Sequence, residues 1–104
     1  MSSLYIIIPA YNESENIEKT ISDWYPVVES HNEEGNSRLV IINDGSKDNT
    51  YDLVCRLAKK HPLLVSLTKP NGGHGSTVLY GYRYAIQNHA DYIFQTDSDG
   101  QTNS

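Results

Sequence analysis

Four short apolar runs rich in β-branched residues punctuate the chain, at residues 4–8, 39–42, 63–67 and 92–96. The first two are almost unbroken, as expected of parallel strands covered on both faces. Between the runs the apolar positions change to helical spacing. Ile17, Ile21, Trp24 and Val28 form one stripe; Leu53, Val54, Leu57 and Ala58 form a second; Val78, Leu79, Tyr82, Ala85 and Ile86 form a third. Each stripe is read as the core face of a helix. Asn12 followed by Glu15 has the spacing of a capping box for the first helix, and Pro26 is expected to kink or shorten that helix. Ser46 or Asp48 would cap the second. Residues 31–37, rich in Asn, Glu, Gly and Ser, read as a loop. The resulting order, β-α-β-α-β-α-β, predicts an α/β fold with a Rossmann-like parallel sheet, right-handed crossovers and helices on both faces.

The residues suited to chemistry collect just after the strands. Pro9-Ala10-Tyr11-Asn12-Glu13 follows the first and Asn43-Asp44-Gly45-Ser46 the second. Pro70-Asn71-Gly72-Gly73-His74-Gly75-Ser76 follows the third, and Asp97-Ser98-Asp99-Gly100-Gln101 the fourth. In a parallel sheet these clusters share one edge, where open α/β folds bind ligands. Each cluster also opens a helix or turn, so free N–H groups point toward the same space.

Composition narrows the field. The 104 residues, 38% hydrophobic and 20% charged, fit one small domain. The net charge is −5, and only Lys59 and Lys60 form an adjacent basic pair, which argues against sequence-independent nucleic-acid binding. No apolar run is long enough to span a bilayer. The opening run lacks a basic leader and closes at Pro9, so it reads as a strand rather than a signal peptide. A single cysteine, Cys55, excludes an internal disulfide framework and a thiolate zinc cluster and fits a reducing compartment. It is read as a small buried hydrophobe on the second helix.

Local sequence leaves the role of each candidate open. Asp97 and Asp99 suit a hard divalent cation bound together with substrate phosphates, or a solvated turn. Asp44 suits a nucleobase or ribose contact, or a helix cap. Glu13 suits a ligand contact, or simply favours a helix amino-terminus. The glycine run permits positive φ and close backbone approach, or is a plain turn, and His74 within it is a phosphate or metal neighbour or a solvated side chain. Other nucleotide and hydrolase signatures fail. No Gly-Lys-Ser/Thr occurs, Val78 stands where a dinucleotide fingerprint begun at Gly73 needs glycine, and there is no Gly-x-Ser-x-Gly elbow. An EF-hand loop begun at Asp97 would need glycine at Thr102.

Taken together and in order, the blocks resemble family 2 glycosyltransferases. Ile7-Ile8-Pro9-Ala10-Tyr11-Asn12-Glu13 with Asn16-Ile17 resembles the family's opening. Val40-Ile41-Ile42-Asn43-Asp44-Gly45-Ser46-x-Asp48-x-Thr50 resembles its second block, with Asn43 where aspartate is commoner. Asn71-x-Gly73-x-Gly75, with Gly81 and Ala85, resembles the third. Asp97-Ser98-Asp99-Gly100-Gln101 is similar to the metal-binding Asp-x-Asp of polyprenyl-phosphate sugar transferases.

The resemblance implies the nucleotide-binding half of a GT-A fold, spanning residues 1–104, with the acceptor half absent. It implies a nucleotide-sugar donor, UDP- or GDP-linked, with Mn²⁺ or Mg²⁺. It also implies a polyprenyl-phosphate or saccharide acceptor, and work in the cytoplasm or at the cytoplasmic face of a membrane. By carry-over, Pro9, Ala10, Tyr11, Glu13 and Asp44 line the nucleoside pocket, Asn71 and Gly73 belong to the donor site, and Asp97 and Asp99 attend the metal and diphosphate. The general base is expected beyond Ser104. The 104 residues alone are therefore expected to bind rather than transfer, and to self-associate through surface that the rest would cover. Two alternatives are a non-catalytic nucleotide-binding module and a haloacid-dehalogenase-type phosphatase, whose first motif also reads Asp-x-Asp-Gly. The latter fits poorly, because that motif normally stands near the start of a chain and Gln101 replaces the usual Thr.

Overall fold

The computed structural model describes residues 3–32 and 35–97. Strands β1 (Leu4–Ala10), β2 (Arg38–Asp44), β3 (Leu64–Lys69) and β4 (Tyr92–Gln95) alternate with helices α1 (Ile17–Ser30), α2 (Thr50–Lys60) and α3 (His74–Gln87). All pairings are parallel, in the order β3-β2-β1-β4. The Rossmann-like α/β class read from the sequence is the class observed.

Side chains alternate across a strand, so an unbroken apolar run feeds two cores. Ile6, Ile8, Leu39 and Ile41 pack with Ile17, Ile21, Val28 and Val54 of α1 and α2. Tyr5, Ile7, Val40 and Ile42 pack with Ala85 of α3 on the opposite face. The chain steps from β1 to β2 to β3 in one direction, then α3 carries it back across the sheet to set β4 beside β1. Right-handed crossovers running in opposite directions put their helices on opposite faces. The reversal makes the carboxyl ends of β1 and β4 a switch point, where a crevice opens.

Several local expectations change. β1 continues through Pro9 and Ala10. β4 pairs with it only as far as Ile7↔Gln95, so Pro9 has a ladder partner on one side alone and its missing N–H is tolerated. The capping box does not form: α1 begins at Ile17 after Asn16, and Asn12 sits in the left-handed region at φ 53°. Pro26 does not end α1, which runs on to Ser30. Tyr25 and Val28, buried on either side of the proline, hold the last turn to the core, and the Tyr25 hydroxyl accepts from the Leu63 N–H at 3.0 Å. Cys55 is half-buried, with Sγ 3.4 Å from Ser66 Oγ, rather than a fully buried hydrophobe.

The largest correction concerns α3. Its buried residues are Thr77, Gly81 and Ala85, while Leu79 and Ile86 are 49% and 64% exposed. The helix lies so close to the sheet that small residues form its inner face. A Cβ at Gly81 would stand 2.6 Å from Ile42 Cδ1 and closer still to Ile7 Cγ2.

The two ends of the sheet's longest closure are clamped together. Ser3 N–H donates to Asp91 Oδ2 at 2.8 Å, and Asp91 N–H donates to Ser3 Oγ at 3.0 Å. No helix among the described residues is long and apolar enough to cross a membrane.

Gly81→Ala is expected to destabilise the protein by about 1–3 kcal/mol through overpacking, against a helix-propensity gain of about 1 kcal/mol. Denaturant unfolding measures the balance, and a raised midpoint would mean that α3 moves off the sheet at no net cost.

Candidate functional site

A cavity of roughly 370 Å³ opens at the carboxyl edge of the sheet. Pro9, Ala10, Tyr11 and Glu13 line it from the end of β1, and Asp44 from the end of β2. Asn71, Gly73 and His74 enter from the turn into α3, and Asp97 from beyond β4. The sequence candidates within the described residues therefore converge on one space. His74, which sequence alone left between ligand contact and solvated loop, lies on its wall. Asp99 lies outside the described residues.

Asp44 is the most constrained of these groups. The β2–β3 register sets it beside Lys69, whose ammonium donates to Oδ1 at 3.1 Å. Both side chains are largely buried, at 7% and 12% exposure. Gly72 N–H donates to Oδ1 at 2.9 Å and Gly73 N–H to Oδ2 at 3.1 Å. Burial works against the charge, but the Gly72 N–H, the Lys69 ammonium and the Thr77 hydroxyl outweigh it and hold the carboxyl below the usual carboxylate range. Of the two local readings, the helix-cap one is wrong in its target: Asp44 folds the turn into α3, not the start of α2. The nearest thing to a cap on α2 is Asp48, whose Oδ1 accepts from the Thr50 N–H at 3.0 Å.

The neighbouring positions support the same turn. Asn71 Nδ2 donates to the Asp44 carbonyl at 3.0 Å. Gly45 takes φ 66°, and a Cβ there would meet the Asn71 backbone nitrogen at 2.5 Å. Asn43 uses both ends of its amide, Nδ2 donating to Thr68 Oγ1 at 2.9 Å and Oδ1 accepting from Ser46 N–H at 3.2 Å. A carboxylate at this buried position would lose the donor, which accounts for the amide.

The opposite wall is looser. His74 Nε2 lies 3.8 Å from Asp97 Oδ1, with both side chains more than half exposed, and Gln95 Nε2 donates to Asp97 Oδ1 at 3.2 Å. Among the described residues no three His, Cys, Asp or Glu side chains cluster closely enough to hold a metal. Asp97 nevertheless suits a hard cation that arrives with phosphate oxygens, since such ions need only one or two protein carboxylates.

Sequence reasoning missed the Lys69–Asp44 pair and the bonding of Ser46, Asp48 and Thr50 to the β1–α1 loop. The first had a visible signal, because opposite charges end two adjacent strands. The second had only a faint one, the alternate spacing of three polar side chains.

Residues 5–104 match the sequence profile described as Glycosyl transferase family 2. The chain is 36% identical over 100 residues to a dolichyl-phosphate beta-glucosyltransferase of Trichomonas vaginalis, covering 92% of this chain and 29% of the relative. It is 29% identical over 111 residues to a UDP-N-acetylglucosamine–dolichyl-phosphate N-acetylglucosaminyltransferase of Methanococcus voltae, covering 94% and 41%. A mannosyltransferase from Pyrobaculum calidifontis, solved with GDP-Man and Mn²⁺, superposes with a TM-score of 0.64 at 24% identity, over 81% of this chain and 24% of that one. The chain thus spans well under half the length of these proteins.

Asp44→Asn is expected to lower the unfolding free energy by about 2–3 kcal/mol near neutral pH, because it leaves Lys69 and one glycine N–H without their acceptor. A lowered native pKa stabilises above the unfolded value and is lost as pH falls through the native one. The gap between wild type and variant should therefore be full above about pH 4 and close in stronger acid. Urea unfolding across that range checks it; a gap independent of pH would remove the ionic account.

Proposed function

The chain belongs to glycosyl transferase family 2, and from that premise we propose that it forms the donor-binding part of an enzyme moving a sugar from a nucleoside diphosphate to a lipid-phosphate acceptor. The observation that carries this reading is the convergence of four separate strand ends on one cavity at the switch point. Pro9, Ala10, Tyr11 and Glu13 offer a partly apolar, partly acidic wall suited to a base and ribose. Asp44 supports the site from beneath by holding the turn that carries Asn71, Gly73 and His74.

Charge explains why a cation belongs in this reading. Glu13, Asp44 and Asp97 are acidic, and Lys69 is already engaged with Asp44. A diphosphate entering such a cavity needs positive charge from elsewhere. Asp97, together with Asp99, would hold Mn²⁺ or Mg²⁺ against the diphosphate. Bound there, the cation offsets the charge that builds on the leaving diphosphate.

In the transfer itself an acceptor oxygen bonds to the anomeric carbon while the bond to the diphosphate breaks. This chain's part is to fix the donor, leaving the acceptor and the general base to the rest of the domain. The named relatives favour a dolichyl-type lipid phosphate as acceptor, and such a substrate sets the reaction at a membrane surface, on its cytoplasmic side. The donor is a UDP- or GDP-sugar.

Calorimetric titration of UDP and of GDP, each with and without Mn²⁺, tests the donor site. Binding is expected to need the metal and to weaken about tenfold or more in Asp97→Asn, in line with the effect of disturbing metal-site carboxylates. Metal-independent binding, or no change in the variant, would refute the role given to Asp97.

A further inference from the structure

The β1–α1 loop, which supplies Tyr11 and Glu13 to the cavity, is closed at its far end by Asn16 and Ile17 N–H donating to the Glu13 carbonyl at 2.9 and 2.8 Å, but its first half is tied to another segment. Asn12 lies at φ 53°, and the next backbone donors turn outward to the β2–α2 loop. Asn12 N–H donates to Ser46 Oγ at 2.9 Å, Glu13 N–H to Thr50 Oγ1 at 2.9 Å, and Ser14 N–H to Asp48 Oδ2 at 3.2 Å. Lys47 N–H returns a bond to Asn12 Oδ1 at 2.8 Å. Consecutive N–H groups of one loop thus end on alternate side chains of the other.

Thr50 is the hub. It is fully buried, and its hydroxyl donates to Asp48 Oδ1. A hydroxyl has one proton, so once Asp48 takes it only lone pairs remain to face the Glu13 N–H. The ionised carboxylate thereby orients the Thr50 hydroxyl to accept from Glu13. Burial works against that charge, but hydrogen bonds from Thr50 and Ser14 outweigh it and hold the Asp48 carboxyl at about 2. The Asp48 bonds to Thr50 and Ser14 are therefore complete at neutral pH and weaken only as pH falls through that value.

We infer that Asp48 and Thr50 are positioning residues for the donor site, holding Tyr11 and Glu13 against the cavity without themselves lining it. The inference rests on the donor-site reading above, and its test separates the two. Thr50→Val keeps the shape of the side chain and removes the hydroxyl, Thr50→Ser keeps the hydroxyl, and Asp48→Asn, at an exposed position, gives a second route if the valine variant fails to fold. Each is titrated with UDP and GDP in the presence of Mn²⁺, and amide exchange is followed at Glu13 and Ser14.

The expected result is about tenfold weaker nucleotide binding in Thr50→Val, scaled from the sensitivity of sites to small displacements, with faster exchange at Glu13. Thr50→Ser should restore both, and Asp48→Asn should speed exchange at Ser14 and weaken binding. Wild-type affinity in a folded Thr50→Val protein whose Glu13 amide exchanges faster would overturn the inference while leaving the donor site standing. A wild-type protein that binds neither nucleotide would overturn the donor-site reading and this one with it. Unchanged exchange at Glu13 in Thr50→Val would show that the clasp does not hold the loop.

Discussion

Four strands that run the same way leave their carboxyl ends along one edge, and everything else in this protein is arranged around that fact. Parallel pairing needs a long crossover between each pair of strands, so helices cover both faces and the middles of the two central strands must be apolar. The crossovers deliver the polar segments to the same edge. The reversal of direction between β3 and β4 then parts α1 and α3 to opposite faces and opens the crevice between β1 and β4. The cavity is a consequence of topology before it is a consequence of any side chain.

Within that edge, charge is managed unevenly. At β2 the acidic group is sunk, satisfied and committed to structure, since Asp44 spends its acceptors on Lys69 and on the glycine turn. Past β4 the acidic group is open and lightly held, since among the described residues Asp97 meets Gln95 and a distant His74. A buried carboxylate with its donors in place cannot turn easily toward a ligand, whereas an exposed one can. The same residue type therefore supplies a fixed frame on one wall and an open, adjustable carboxylate on the other.

The sheet was legible because nearly unbroken runs rich in β-branched residues are a strong signal, and the candidate site was legible because the special residues fell at strand ends. The inner face of α3 was legible only at Ala85, which the stripe included and which is buried. Hydrophobicity also singles out Leu79, Tyr82 and Ile86, but close approach to Ile7 and Ile42 demanded Gly81 inward and left the larger side chains out. The start of α1 was misread for a related reason. Asn12 and Glu15 have the spacing of a cap, yet the amide of Asn12 is drawn away by Lys47 of another loop, a long-range contact that no local pattern encodes. The extension of β1 through Pro9 depends likewise on where β4 stops pairing.

The clamp between Ser3 and Asp91 joins residues separated by 88 positions, and β4 hydrogen-bonds to β1 rather than to β3, its predecessor in the chain. The strand at the heart of the sheet therefore acquires its second neighbour last. During synthesis, which proceeds from the amino end, β1 emerges first and must wait with one edge open until nearly everything described here has left the ribosome. Long-range closure of this kind slows folding. The order of synthesis and the order of the sheet run against each other, so the growing chain carries an unpaired apolar edge until β4 has been made.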